Sequence, residues 1–240
     1  MSDLASQRCA IYYTPGRHHP LTETARQWLG RDAFLPSNRK AAGPAENKFA
    51  TEPRRYGFHA TLKAPFRLAD GQSVEALEQA LHDFADSVIP CPIGRLRLSV
   101  IDGFFALVPA GPTAFLRGFA SRIVREFDRF RAPMNQAELQ RRMRKPLDDT
   151  ETSHLISWGY PYVHDRFKFH LTLTDCLPED IRPMVKERLK SRFEADLGED
   201  LKLEALSLFV QDRPDADFYV RSQFFLRGHE SSGLRWQGGR

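Results

Sequence analysis

The chain predicts an α+β fold of two pseudo-symmetric lobes, each an antiparallel sheet backed by helices, around a central cleft. Three observations predict it. The pattern Arg-x-x-Phe-His-x-Thr-Leu occurs at Arg55–Leu62 and again at Arg166–Leu173, 111 residues further on. Each copy is followed by a helical stretch and then by two strand-like stretches. After the first copy those strands flank Asp102-Gly103, a dipeptide suited to the positive φ angles of a tight hairpin. Repeated strand–helix–hairpin units bury their apolar faces by packing in layers.

The elements follow in order. Cys9–Tyr13 is an apolar run closed by Thr14-Pro15-Gly16, a strand entering a turn. Leu21–Leu29 reads as a helix, with Thr22 as N-cap and Gly30 as its stop. Residues 36–53 are rich in Pro, Gly, Ala, Asn and Lys and read as a loop. Arg55–Phe66 reads as a strand ended by Pro65. Ser73–Ser87 has helical spacing at Val74, Leu77, Leu81, Phe84 and Val88. Ile93–Val108 is the hairpin, and Thr113–Phe130 a second amphipathic helix. Residues 133–151 read as a short Arg-rich helix plus a loop, and Ser153–His164 as an aromatic loop over the second motif. Arg166–Thr174 is the second motif strand. Pro178–Leu197 reads as a long helix with Gly198 beyond its end. Leu203–Gln211 and Phe218–Leu226 are paired strands joined by a turn at Asp212–Asp217. Residues 1–228 form one two-lobed domain, and 229–240 a flexible polar tail.

Composition excludes several classes. At 240 residues, with 41% hydrophobic and 28% charged residues, the chain is long enough for a substantial core. Its net charge of +4 suits an anionic substrate and is too small to argue for a DNA duplex. Cys9, Cys91 and Cys176 are far apart and form no Cys-x-x-Cys, so neither a zinc knuckle nor a disulfide framework is indicated. No metal or other cofactor is expected. No apolar leader and no run of about 20 apolar residues appears, so a cytoplasmic protein without a membrane partner is expected.

Strand alternation assigns the chemistry. It puts Arg55, Gly57, His59, Thr61 and Lys63 on one face of the first motif. It puts Arg166, Lys168, His170, Thr172 and Thr174 on one face of the second. The opposite faces carry Tyr56, Phe58, Ala60 and Leu62, and Phe167, Phe169, Leu171 and Leu173. Two histidines titrating near neutrality can divide proton transfer, one as base and one as acid. The threonine hydroxyls can donate to phosphoryl oxygens, and Arg55, Lys63, Arg166 or Lys168 can add charge-assisted contacts. Gly57 leaves room beside His59 for a substrate. The sequence is symmetric as to which histidine is base.

At His59-Ala60-Thr61 and His170-Leu171-Thr172 the chain resembles the 2H phosphoesterase superfamily, which has two His-x-Thr/Ser motifs facing each other. The longer segments Pro53–Phe66 and Phe167–Thr174, with Ile11–Pro15 and Leu208–Gln211, are similar to a branch found in bacterial phosphonate-utilisation operons. The resemblance implies His59 and His170 as an acid–base pair, and Thr61 and Thr172 as phosphate-binding residues. It implies a metal-free phosphodiesterase acting on a small cyclic phosphate, such as a ribose cyclic phosphate. Tyr12 and Gln211 belong to segments shared with the branch and are candidate substrate contacts.

Other readings stay open. RNA 2′,3′-cyclic ends or 2′,5′ linkages are a second substrate class, to which Arg141, Arg142, Arg144 and Lys145 lend support unless they are a solvated helix face. Tyr160 and Tyr162 either stack on a ligand or pack the loop at Pro161. A non-catalytic binder of phosphorylated sugars or RNA ends is a third reading, against which two intact histidines speak. His18, His19 and His82 read as structural or surface residues, and His229 as an inert tail residue. His154 and His164 are weaker candidates for substrate contact.

Overall fold

The structure, a computed structural model, describes residues 7–36 and 47–228. The expected tail at 229–240, with His229, and most of the expected 36–53 loop lie outside the described residues. In chain order the first elements are β1 (Arg8–Tyr13), α1 (Pro20–Leu29), α2 (Thr51–Tyr56), β2 (Ala60–Phe66) and α3 (Val74–Ser87). Next come β3 (Cys91–Gly94), β4 (Leu96–Ile101), β5 (Phe104–Pro109), α4 (Ala114–Glu126), α5 (Gln136–Arg142) and α6 (Asp149–Trp158). The last are β6 (Leu171–Thr172), α7 (Arg182–Phe193), β7 (Leu201–Leu203), β8 (Ala205–Gln211) and β9 (Tyr219–Phe225). All strand pairings are antiparallel and the class is α+β.

The sheets show how the two halves are joined. One sheet has the order β2-β1-β8-β9 and another β4-β5-β6, while β3 pairs with β7. The first motif therefore shares its sheet with the hairpin that follows the second motif in the chain. The second motif pairs with the hairpin that follows the first. The expected lobes exist, but they are built by exchange and are not consecutive halves. The short strands that precede the two hairpins pair with each other at Cys91 and Leu203.

β1 and β8 are interior strands buried on both faces, which explains their nearly continuous apolar sequences. Cys9, Ile11 and Tyr13 enter the main core with Leu77 and Leu81 of α3, Ile123 of α4 and Leu189 of α7. The alternate residues Ala10 and Tyr12 face a smaller cluster with Ala33, Phe209 and Phe218. That second face carries the candidate site.

Several elements differ from the sequence expectation, each for a local reason. The strand expected from Arg55 is a helix up to Tyr56. The carboxylate of Asp175 accepts from the amides of Thr51 and Glu52 at 2.9 and 2.8 Å and caps the start of α2. At its end the Arg31 guanidinium donates to the carbonyls of Arg54 and Arg55 at 2.9 and 3.2 Å. These caps come from distant parts of the chain and leave no local trace. Pro65 does not end β2, because β2 is an edge strand where a missing N–H is tolerated.

The second motif strand shrinks to two residues, since Arg166 closes a 3-10 turn at His164–Arg166. At its far end the Thr174 hydroxyl accepts from the Phe105 amide at 2.9 Å, replacing a ladder bond. The loop expected over Ser153–His164 begins as helix α6, started by a capping box between Asp148 and Glu151. α1 is capped by the His19 ring, which accepts from the Leu21 amide, while Thr22 is buried. The helix expected over Pro178–Leu197 is α7 with a 3-10 turn at each end. The Asp102-Gly103 hairpin forms as expected, with φ of 46° and 93°.

Candidate active site

Both motif histidines sit at the entrance to a short strand and are held in the same way. His59 Nδ1 lies 2.9 Å from the carbonyl oxygen of Gly57. His170 Nδ1 lies 2.7 Å from the carbonyl oxygen of Lys168. A carbonyl only accepts, so each Nδ1 carries the proton and each neutral ring presents a bare Nε2. His59 Nε2 is 3.4 Å from the Thr61 hydroxyl. The two copies thus agree in the carbonyl contact that holds each ring as well as in letters.

Gly57 makes the first lock. Its φ of 77° and ψ of 176° turn its carbonyl toward His59, and a β-carbon there would lie 2.5 Å from Cβ of Ala33. The missing side chain makes room for Ala33, and Gly57 itself lines the cleft beside His59. On its other side His59 is covered by Tyr12, whose ring is stacked at 3.9 Å. Burial lowers the His59 pKa to about 4, the Gly57 carbonyl opposes the shift, and the charge of His170 adds to it. His170 is lowered mainly by burial, with Lys168 adding to the shift and its carbonyl bond and Asp102 opposing it.

A cleft of about 1090 Å³ opens over these groups and is lined by His59, Thr61, Thr172 and Tyr12. His170 is not itself a lining residue. It stands beside the lining residue Phe104, ring centroids 5.8 Å apart, and close enough for its charge to act on His59. Three of the four motif residues therefore line one cleft, and the fourth stands beside a lining residue.

The remaining sequence candidates mostly serve the fold. Lys63 is 3% exposed and bonds the Asp128 carboxylate at 2.8 Å and the Val124 carbonyl at 3.3 Å. Register shifts in the β1–β2 pairing break the alternation that would have put it beside Thr61. Arg55 lines the cleft, but its guanidinium donates to the carbonyls of Pro214 and Ala216. Arg166 is paired with Asp148 at 2.7 Å and does not line the cleft. Lys168 contributes its carbonyl to His170. Thr174 lines the cleft while serving the ladder. Gln211 is fully buried, accepting from Arg8 at 2.7 Å and donating to the Ala216 carbonyl at 2.6 Å. It supports the wall and does not reach the cleft. His154 and His164 pack against each other outside the cleft.

Other residues join the site. Arg8, Arg141, Arg142, Tyr56 and Tyr160 line the cleft. Of the Arg141–Lys145 cluster, Arg141 and Arg142 face it, and the Arg142 guanidinium lies over the Tyr160 ring at 5.3 Å. Arg8 was detectable in principle, since it is four residues before Tyr12 on the same strand face. Among the described residues, no group of three or more His, Cys, Asp or Glu side chains could hold a metal ion. No helix among them is long and apolar enough to cross a membrane.

Two curated relatives, both named ribose 1,5-bisphosphate phosphokinase PhnN, are similar over nearly the whole chain. The one from Janthinobacterium sp. (strain Marseille) is 32% identical over 244 residues, covering 97% of this chain and 54% of the relative. The one from Laribacter hongkongensis (strain HLHK9) is 31% identical over 237 residues, covering 97% and 55%. The chain spans about half the length of the curated relatives it matches. Among solved structures, TT0787 of Thermus thermophilus aligns with a TM-score of 0.45 at 16% identity, covering 92% of this chain and 99% of that one. Kluyveromyces marxianus Usb1 with uridine monophosphate aligns with a TM-score of 0.31 at 10% identity, covering 90% and 99%. Residues 61–219 match the family described as "Protein of unknown function (DUF1045)". That match covers more than half of the sequence, and the chain belongs to the DUF1045 family.

Proposed function

We propose that the chain is a phosphoric diester hydrolase that opens a small cyclic phosphodiester by proton transfer through His59 and His170. The observation that carries this reading is the repeated lock, in which each Nδ1 is spent on the carbonyl two residues back and each Nε2 is left bare. It accords with the pair of His-x-Thr motifs on which the resemblance to the 2H superfamily rests.

His59, whose pKa is lowered to about 4, is neutral at pH 7 and acts as the base. Its Nε2 takes a proton from water as the water oxygen bonds to phosphorus. The ester P–O bond on the opposite side breaks, and His170 Nε2–H gives its proton to the leaving oxygen. The negative charge of the bound phosphate favours the protonated form of His170 that this step needs. Thr61 and Thr172 donate to the non-bridging oxygens, whose charge must be held as phosphorus becomes pentacoordinate. The products are a phosphomonoester and a free hydroxyl, and solvent exchange resets both rings.

The relatives' name supports a phosphorylated pentose as the bearer of the ester. The chain has no Gly-x-x-x-x-Gly-Lys-Ser/Thr loop, so we assign any ATP-dependent step to the part of those relatives that it does not span. An RNA 2′,3′-cyclic end is the second reading, favoured by Tyr160 and Arg142 on the cleft wall. Competition between ribose 1,2-cyclic phosphate and cytidine 2′,3′-cyclic phosphate, followed by ³¹P NMR, tests both. Preferential opening of the sugar ester supports the first reading and preferential opening of the nucleotide the second, while failure to open any sugar or nucleotide cyclic phosphate, with or without a second phosphate, refutes the hydrolase.

A further inference from the structure

The part of the cleft away from the histidines is cationic, and Glu138, whose carboxylate lies near Arg141, is already held by Arg67. Arg8, Arg55, Arg141 and Arg142 line it, and among the described residues none of them makes an ion pair with a carboxylate. Elsewhere arginines do find one: Arg31 faces Asp217, Arg131 faces Asp128, Arg166 faces Asp148 and Arg221 faces Glu78. The cleft's own carboxylates do not fill the role. Glu138 is bound to Arg67, Asp175 to the α2 amides, and Glu52 is exposed at the start of α2.

The neutral contacts of these arginines hold them in place without cancelling their charge. Arg8 donates to Gln211 and lies over the Phe218 ring at 5.4 Å, and Arg142 lies over the Tyr160 ring. Burial disfavours the charge on Arg8 and on Arg142, and nearby Arg141 disfavours both further. Holding like charges together in a partly desolvated, aromatic-walled cleft costs free energy, and an anion placed between them recovers it. Arg8 and Tyr12 are on the same face of β1, about 13 Å apart along the strand. Tyr12 carries His59 on its ring. That strand separation is the span a single small molecule has to bridge to touch both ends.

We propose that Arg8, Arg141 and Arg142 form a second anion subsite, which holds a phosphomonoester carried by the same small molecule whose ester lies at His59 and Thr61. The inference deepens the proposed function by requiring a substrate with phosphate at both ends. Its test does not depend on turnover. Ribose 5-phosphate, ribose and cytidine 5′-monophosphate are titrated by calorimetry into the His59→Ala/His170→Ala variant. Ribose 5-phosphate is expected to bind and ribose not to. Adding Arg141→Gln and Arg142→Gln is expected to weaken ribose 5-phosphate binding on the order of 10- to 100-fold for each charge-assisted hydrogen bond removed. Arg141→Gln alone, at an exposed side chain, gives the same direction of effect should the combined variant be unstable. Tighter binding of ribose 5-phosphate than of the nucleotide identifies a sugar phosphate, and the reverse order identifies a nucleotide with the same subsite. Failure of both phosphates to bind, or binding undiminished without Arg141 and Arg142, overturns the subsite. Either result leaves the hydrolase reading to stand on its own experiment.

Discussion

The ring of Tyr12 lies on the imidazole of His59, with centroids 3.9 Å apart and planes 22° from parallel. Tyr12 is 1% exposed and belongs to an interior strand, so the stack ties His59 to the most rigid part of the sheet. It also shields the ring from water, the main cause of the low His59 pKa. Tyr12→Phe should preserve both effects. Tyr12→Ala should move the His59 pKa up from about 4 toward its ordinary 6.5 and lower kcat on the order of 10- to 100-fold through loss of alignment. NMR titration of the His59 ring in both variants checks this, and an unmoved pKa in Tyr12→Ala contradicts it.

Under the proposed roles, with His59 as base and His170 as acid, the pH dependence follows from the two histidines. The base His59 must be neutral, so kcat/KM should rise with pH through about 4. The acid His170 must be protonated, and burial lowers its free-enzyme pKa from 6.5, so kcat/KM should fall again as pH rises through a value under 6.5. A bell with its optimum on the acid side of neutrality is expected, and a flat profile from about pH 4 to 8 contradicts the assignment. Stability has its own sign. Below 6.5 the unfolded chain takes up protons that folded His59 refuses until about 4. Stability present above 6.5 should therefore decline as pH falls through that window, as denaturant midpoints will show.

Lys63 is expected to matter to folding rather than to chemistry. Lys63→Met removes one partner of a buried pair but leaves Asp128 bonded to Arg131 at 2.8 and 2.9 Å. A loss of about 3 kcal/mol is expected, read from urea unfolding, with KM little changed. A large rise in KM with unchanged stability would instead return Lys63 to the substrate.

Gly57→Ala tests the lock on His59. The φ of 77° and the 2.5 Å approach to Ala33 make any side chain costly there. A loss of about 1–3 kcal/mol is expected, together with a fall in kcat as the carbonyl that fixes Nδ1 shifts. Thermal unfolding and steady-state rates measured on the same preparation separate the two effects. Unchanged kcat in a stably folded variant would show that the carbonyl does not position the ring.

The sequence showed the candidate groups more clearly than their setting. His59, Thr61, His170 and Thr172 were legible because each motif repeats and because each threonine follows its histidine by two. Lys63 was misplaced because two-residue alternation fails at a bulge, which depends on the partner strand β1. Arg166 was misplaced because the residues before His170 form a 3-10 turn, while Arg55 does line the cleft, but from a helix fixed by distant groups such as Asp175 and Arg31. The exchange of hairpins between the halves was invisible for the same reason: which hairpin pairs with which motif is decided by tertiary contact. The Asp148/Glu151 capping box, by contrast, was present in the sequence and marks a helix that aromatic content obscured.

The pairing of His59 and His170 as proton acceptor and donor for a cyclic phosphodiester is open to test by ³¹P NMR. The unmodified chain, His59→Ala and His170→Ala are each incubated with EDTA and a panel of sugar and nucleotide cyclic phosphates. This pairing predicts conversion of at least one cyclic ester to a phosphomonoester by the unmodified chain. It predicts a loss on the order of 10²- to 10⁴-fold in each variant, with circular dichroism unchanged. Conversion that survives in either folded variant at an undiminished rate, or that EDTA abolishes, would contradict it.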